Sequence, residues 1–241
     1  MKWLNLFILL FINSYMYAPP IATMTTNMET LAEIHLKKVK ETQRVERLKI
    51  VQAADSAAFF ILDKFRRGKS DTQHRAFKAK LLQVSDSLGI HFSWLVEIIW
   101  HESRFNHKAV NSIGATGLIQ FLPGTAKGLG TSPNALYNMS AVNQLDYVYK
   151  FYRHAKGKFK QLTDIHLYAF FPVALLNNWP DSKVIEYGKL SAGLLARSNP
   201  GLDTNKDGKI TIREFRKEAV KHSPKEILAL QHGLKGLTLN R

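Results

Sequence analysis

Ser93 to Asn106 reads SWLVEIIWHESRFN, and its last third is at odds with its first. Leu95, Ile98 and Ile99 share one face of a helix, and Ser93 stands where an N-cap belongs. The run then meets His101 and Glu102 and breaks into small polar residues. Glu102 lies four residues past Ile98 and three past Ile99, so it continues the apolar face. A helix that only built a core would turn this acid outward, or pair it with Arg104. A carboxyl group at the apolar end of a helix loses hydration, which raises its pKa and lets it hold a proton near neutrality. Such a group can serve as a general acid.

Outward from this helix, the chain reads as helix after helix. FKAKLLQVSDSLGI, from Phe77, is amphipathic and stops at Gly89. SAVNQLDYVYKFYRHA and TDIHLYAFFPVALL follow as further helices, the second broken or kinked at Pro172. Strand-like alternation is scarce, so the fold class is mainly α. Residues 29–67 are charge-rich, with scattered apolar positions and no interruption, and predict one or two helices. RRGKSD, Arg66 to Asp71, is a plausible joint. The predicted organisation is a leader or anchor at 1–22, a charged helical arm at 23–70, a catalytic domain at 71–220 and a basic tail at 221–241.

The chain has 241 residues, a formal net charge of +15 and no cysteine. Disulfides, thiol nucleophiles and cysteine metal sites are therefore excluded. The charge favours acidic partners such as nucleic acid, anionic membranes or anionic wall polymers. MKWLNLFILLFINSYMYAPPIA opens the chain with one lysine and a short apolar run, the pattern of a signal peptide or an uncleaved anchor. The protein is expected to be exported, to a periplasmic, extracellular or wall location, or carried on a virion if phage-encoded. YKFYRHAKGKFK mixes aromatics with cations, yet reads more simply as a solvated face over core aromatics, so no nucleic acid is expected. A membrane would be met only through the N-terminal segment.

After the helix comes NSIGATGLIQFLPGTAKGLG, in which Gly114 and Gly117 let backbone approach a ligand and Gln120 offers an amide to a sugar. A protonated carboxyl group beside such a loop suits glycosidic cleavage, whose leaving oxygen must be protonated. WLVEIIWHESRFNHKAVNSIGATGLIQFLPGTA resembles the catalytic segment of the soluble lytic transglycosylases, which share a lysozyme-like fold with goose-type lysozymes. The likeness runs from about Leu81 to Ala174. It implies that Glu102 protonates the glycosidic oxygen of peptidoglycan and then acts as base. It implies that Ser103 positions Glu102 or the substrate acetamido group, that Gly117 and Gln120 line the sugar cleft, and that Tyr168 orients the acid. The family's Ala-Tyr-Asn-x-Gly is replaced here by LYAFFP, closer to phage-type members.

Ordinary glycosidases pair two carboxylates. Glu97, five residues before Glu102, points roughly to the far side of the helix. Asp86, Asp146 and Asp164 have no assigned place. One acid suits a substrate-assisted route in which the N-acetyl oxygen attacks the anomeric carbon. The resemblance then implies a 1,6-anhydromuramoyl product. A goose-type muramidase using water and a non-catalytic wall- or virion-associated binding protein remain alternatives. His101 and His107 are too far apart in sequence for a zincin helix.

DTNKDGKITIREF, Asp203 to Phe215, fits the twelve-position calcium loop of an EF-hand. The ligands predicted for Ca²⁺ are Asp203, Asn205, Asp207, the carbonyl of Lys209, Thr211 through water and bidentate Glu214. Gly208 makes the turn and Ile210 packs inward. Pro200 and Gly201 interrupt the entering helix, and no second loop exists, so a single structural calcium site is expected rather than a paired sensor.

Overall fold

Helix α1 spans Ile21–Arg66 and crosses a division of the chain into two compact units, residues 1–48 and 49–241. The computed structural model describes residues 21–66 and 69–233; the leader prediction lies almost wholly outside them. No helix among the described residues is long and apolar enough to cross a membrane. In the first unit, α1 exposes Leu31, Ile34, Leu36, Val39, Val45 and Leu48. In the second it buries Ala54, Ala58, Ile61 and Leu62. The predicted arm at 23–70 is therefore divided near Leu48, and its later part belongs to the core.

That core is helical, with isolated β-bridges and no strand among the described residues. Helix α2, Asp71–Leu88, ends at left-handed Gly89 as its sequence predicts, but it starts six residues before Phe77, with a capping box between Ser70 and Gln73. It buries Phe77, Leu81, Val84 and Leu88, side chains worth about 1.5–3 kcal/mol each when removed from water. Helix α3, Phe92–Ser103, is capped by His91 rather than Ser93: the His91 Nδ1 accepts from the Ser93 NH at 3.3 Å. Its residues from Phe92 to Ile99 are all buried, more than one apolar face would give.

Two short helices, α4 (Pro123–Gly128) and α5 (Pro133–Asn138), begin with proline at their first turn, where no NH is needed. Helix α6, Ala141–Tyr152, packs on α2 and buries Gln144, Leu145, Val148 and Tyr152. Helix α7, Leu162–Phe170, stops before Pro172, which opens the separate helix α8, Pro172–Leu176. The predicted break is thus a true one. After α9, Ala192–Ser198, come α10, Ile212–Ala219, and α11, Lys225–Gly233. Helix α3 lies among α2, α7 and α11. The stretch read as a basic tail at 221–241 carries α11, whose Ile227 and Leu230 are fully buried, so the core extends past residue 220.

Candidate active site

Glu102 is the penultimate residue of α3, and the backbone beyond it turns sharply. Arg104 and Phe105 both take left-handed conformations, at φ 53° and 60°, and Gln120 does so at 50°. Each such residue costs about 1–2 kcal/mol, and bulky Phe105 is the least expected of them. Phe105 is held by its buried ring, which packs on Phe77 and Trp100. Arg104 does not pair with Glu102. Its guanidinium covers the Trp100 ring at 4.5 Å and donates to the Trp100 carbonyl at 3.1 Å. Among the described residues Glu102 has no hydrogen-bond or ion-pair partner.

The loop from Ala109 to Phe121 is tied to itself. Thr116 and Phe121 exchange backbone hydrogen bonds, Gly117 NH donates to the Ala109 carbonyl, and Asn111 Oδ1 accepts from the NH groups of Ile113 and Ala115. Ser103 is buried and donates to the Leu118 carbonyl at 2.9 Å, fastening the end of α3 to this loop. The same hydroxyl lies 3.3 Å from the Ile99 carbonyl one turn back, so its bonds are made inside the fold. Gln120 donates through Nε2 to the carbonyls of Gly117 and Ala109, which leaves Oε1 for the cleft.

Sequence reasoning missed the residue that holds this loop. Gln144 is fully buried, accepts from Leu118 NH at 2.9 Å, and donates to the carbonyls of His107 and Leu136, both at 2.7 Å. A polar residue on the buried face of amphipathic α6 was the available signal. Gly117, at φ 90°, exists for this amide: a Cβ there would meet Gln144 Oε1 at 2.6 Å. Gly117→Ala should therefore lower stability by about 2–4 kcal/mol, from left-handed strain and a displaced buried hydrogen-bond hub. Urea unfolding of the variant measures this. A loss below half a kilocalorie would show that the loop does not depend on the contact.

Glu102 lines a cleft of about 470 Å³ together with Gln120, His166, Phe170, Phe215 and Glu218. Burial raises its pKa; the charge of His166 opposes this and that of Glu97 adds to it. Glu97, expected on the far side of α3, is instead buried and electrically coupled to Glu102. Its Oε2 takes the His166 Nε2–H at 2.7 Å and its Oε1 the Ser223 hydroxyl. Burial pushes the Glu97 carboxyl upward, but these bonds and the charges of His166 and His101 hold it below its ordinary value. An ionised carboxylate only accepts, so His166 carries its proton on Nε2. Five residues of helix separate the two acids around α3, and His166, bonded to Glu97, lines the same cleft as Glu102.

Tyr168 is not on the cleft wall. It is buried in a cluster with Phe151, Tyr152 and Phe159, at centroid distances of 5.1–6.0 Å. The tyrosine that feels Glu102 is fully buried Tyr152, whose hydroxyl has no hydrogen-bond partner among the described residues. Burial, then the charge of Glu102, push that hydroxyl well above its ordinary pKa. A second cleft acid was also missed: Glu218 lines the cleft too and pairs with Lys221 at 2.9 Å. Asp164 is structural, paired with Arg216 at 2.6 Å, and Asp146 pairs with Lys80 at the same distance.

The second predicted motif flanks this cleft. Asp203 accepts from the NH groups of Asp207 and Gly208, and Gly208 is left-handed at φ 79° as the turn requires. Glu214 reaches back across the loop to the NH groups of Thr204 and Asn205 and caps α10 with Thr211. Its slight burial would raise the carboxyl, but these bonds hold it below the usual range. Asn205 and Asp207 bond to each other, and Lys209 NH donates to Asp207. Fully buried Ile210 bonds through its carbonyl to Ile185 NH at 2.8 Å, beside a bridge between Val184 and Thr211. Residues 183–185 thus run beside the end of the loop and are hydrogen-bonded to it. Among the described residues no group of three or more histidines or acids stands close enough to share a metal. Leu202 before the loop and Phe215 after it both line the cleft.

Residues 82–152 match the transglycosylase SLT domain. The SLT segment contains α3, Glu102, the glycine loop and Gln144, and ends at Tyr152. It covers less than half of the chain, and Glu218 and the Asp203 loop lie outside it. The helical architecture agrees with the lysozyme-like fold of that family. No solved structure matches the chain.

Proposed function

We propose that this protein is an exported lytic transglycosylase, cleaving the β-1,4 bond between N-acetylmuramic acid and N-acetylglucosamine. The observation that carries the proposal is Glu102: a carboxyl group with raised pKa and no hydrogen-bond or ion-pair partner among the described residues, at a cleft edge inside the SLT segment. In the protonated state it gives its proton to the leaving oxygen while the sugar's own acetamido oxygen bonds to the anomeric carbon. The 6-hydroxyl of the same muramoyl unit then displaces that oxygen, and ionised Glu102 takes the hydroxyl proton. No water is consumed, and a 1,6-anhydro ring results. Ser103, Gln144 and the Glu97–His166 pair position the acid, and Gln120 Oε1 faces the sugar. Release of soluble fragments from purified peptidoglycan tests this; a folded protein that binds the wall and releases nothing would leave the binding-protein alternative. Glu218 favours a second reading, a hydrolytic muramidase, because it puts another carboxylate in the cleft.

The Asp203–Glu214 loop is proposed to hold one structural calcium. The donor set supports this: Asp203, Asn205, Asp207, the Lys209 carbonyl, Thr211 through water and Glu214 are all oxygen donors in EF-hand order. Bound calcium would offset three carboxylates and brace the wall that carries Phe215 and Glu218. At calcium a hundredfold above Kd, stability should rise by about 2.7 kcal/mol, a Tm gain of roughly 5–10 °C. Thermal melting in calcium against chelator measures the gain, which Asp203→Ala should remove. Equal melting in both conditions would contradict calcium binding.

A further inference from the structure

A cavity of about 760 Å³ in the second unit lies beside the Glu102 cleft, and His101 lines both. Its walls are the 53–64 stretch of α1, the end of α3 and the residues around Pro224. Two cations converge there on one ring: Lys64 Nζ lies 4.9 Å and the Arg104 guanidinium 4.5 Å from the Trp100 centroid. Neither has an ion-pair partner among the described residues. Exposed Phe60 adds an apolar wall, with Lys64 Nζ 5.1 Å from its ring.

The acids of this cavity do not neutralise the pair. Glu97 is engaged by His166 and Ser223, and Glu226 is exposed. His101 reports the resulting field: after burial and His166, the charges of Arg104 and His222 both lower its pKa, while Glu97 opposes them. The ring attracts each cation, but the two cations repel one another, and an anion placed between them would relieve that repulsion.

We propose that this cavity binds the anionic peptide stem of peptidoglycan, with Lys64 and Arg104 taking stem carboxylates and Trp100 and Phe60 packing on its aliphatic parts. The proposal rests on the peptidoglycan reading of the Glu102 cleft. The stem leaves the muramoyl sugar through its lactyl group, next to the bond to be cut, so a site adjoining the cleft is where this arm would fall. Charge complementarity and the shared His101 wall favour the stem over an unrelated anion. The cavity would then select strands that still bear peptides.

Calorimetric titration with a synthetic tetrapeptide stem bearing free carboxylates, and with its fully amidated counterpart, tests the proposal apart from activity. The carboxylate form should bind the full chain about tenfold more tightly, as charge-assisted bonds imply. Lys64→Ala should abolish that preference. Because Arg104 also shapes the turn after α3, Arg104→Gln is compared only if its melting temperature is unchanged. Equal affinity for the two peptides, no binding of either, or an unaltered preference in Lys64→Ala would overturn the proposal. Loss of the peptidoglycan reading itself would appear separately, as no fragment release by the wild-type chain.

Discussion

Glu102→Gln should lower fragment release from peptidoglycan at least a hundredfold while leaving wall binding and melting temperature unchanged. A positioned general acid is worth about 10²–10⁴ in rate, and glutamine keeps the shape of glutamate but has no proton to give. Stability should not fall, because among the described residues Glu102 has no hydrogen-bond or ion-pair partner to lose, and the charge of a half-buried carboxylate is unfavourable. The pH dependence has a definite sign. Burial raises the Glu102 pKa, so the active, protonated acid persists above the ordinary carboxylate value of 4.5 and is lost as pH rises through the shifted value. The alkaline limb of activity should therefore lie higher than an exposed glutamate would give. A variant retaining more than a tenth of wild-type rate would remove Glu102 from the chemistry.

Glu97→Ala should act in the opposite way, on stability first. Removing one partner from a buried ion pair typically costs about 3–5 kcal/mol, because the other polar group is left without compensation. Here both His166 and Ser223 lose their acceptor. Tm should fall by roughly 6–20 °C for a chain of this size. The sign with pH follows from the depressed Glu97 pKa. Its stabilisation is present above the ordinary value of 4.5 and is lost as pH falls through the lower folded value. The double variant with His166→Ala should lose less than the sum of the two singles, since the same interaction is removed twice. Additive losses in urea unfolding would show that the two side chains do not support each other.

Local pattern made much of this site legible. Apolar spacing located α3 and placed Glu102 on its buried side. Gly89 marked a helix stop, Pro172 a break, and the spacing of oxygens the Asp203 loop. What periodicity cannot give is which polar side chains meet across the chain. Glu97 and His166 are 69 positions apart, Glu97 and Ser223 126, and Gln144 reaches a carbonyl 37 positions away. One clue was present all the same. Phe92 to Ile99 is apolar nearly all round, and a helix of that kind is buried on every side. An acid within it must be paired, which is the position of Glu97. For Tyr168 the motif supplied a residue type but not its surroundings. Here that ring joins the aromatic cluster, and Tyr152 stands in the field of Glu102. Glu218 lay three residues past the calcium-loop motif, in a stretch for which no motif was read.

Mass spectrometry of fragments released from purified peptidoglycan by the wild-type protein tests the central claim, that Glu102 is the single acid of a non-hydrolytic cleavage. The account predicts fragments ending in 1,6-anhydromuramic acid, with none gained by adding ¹⁸O-labelled water. Reducing ends carrying the label would contradict it, make water the acceptor, and turn attention to Glu218 as its base.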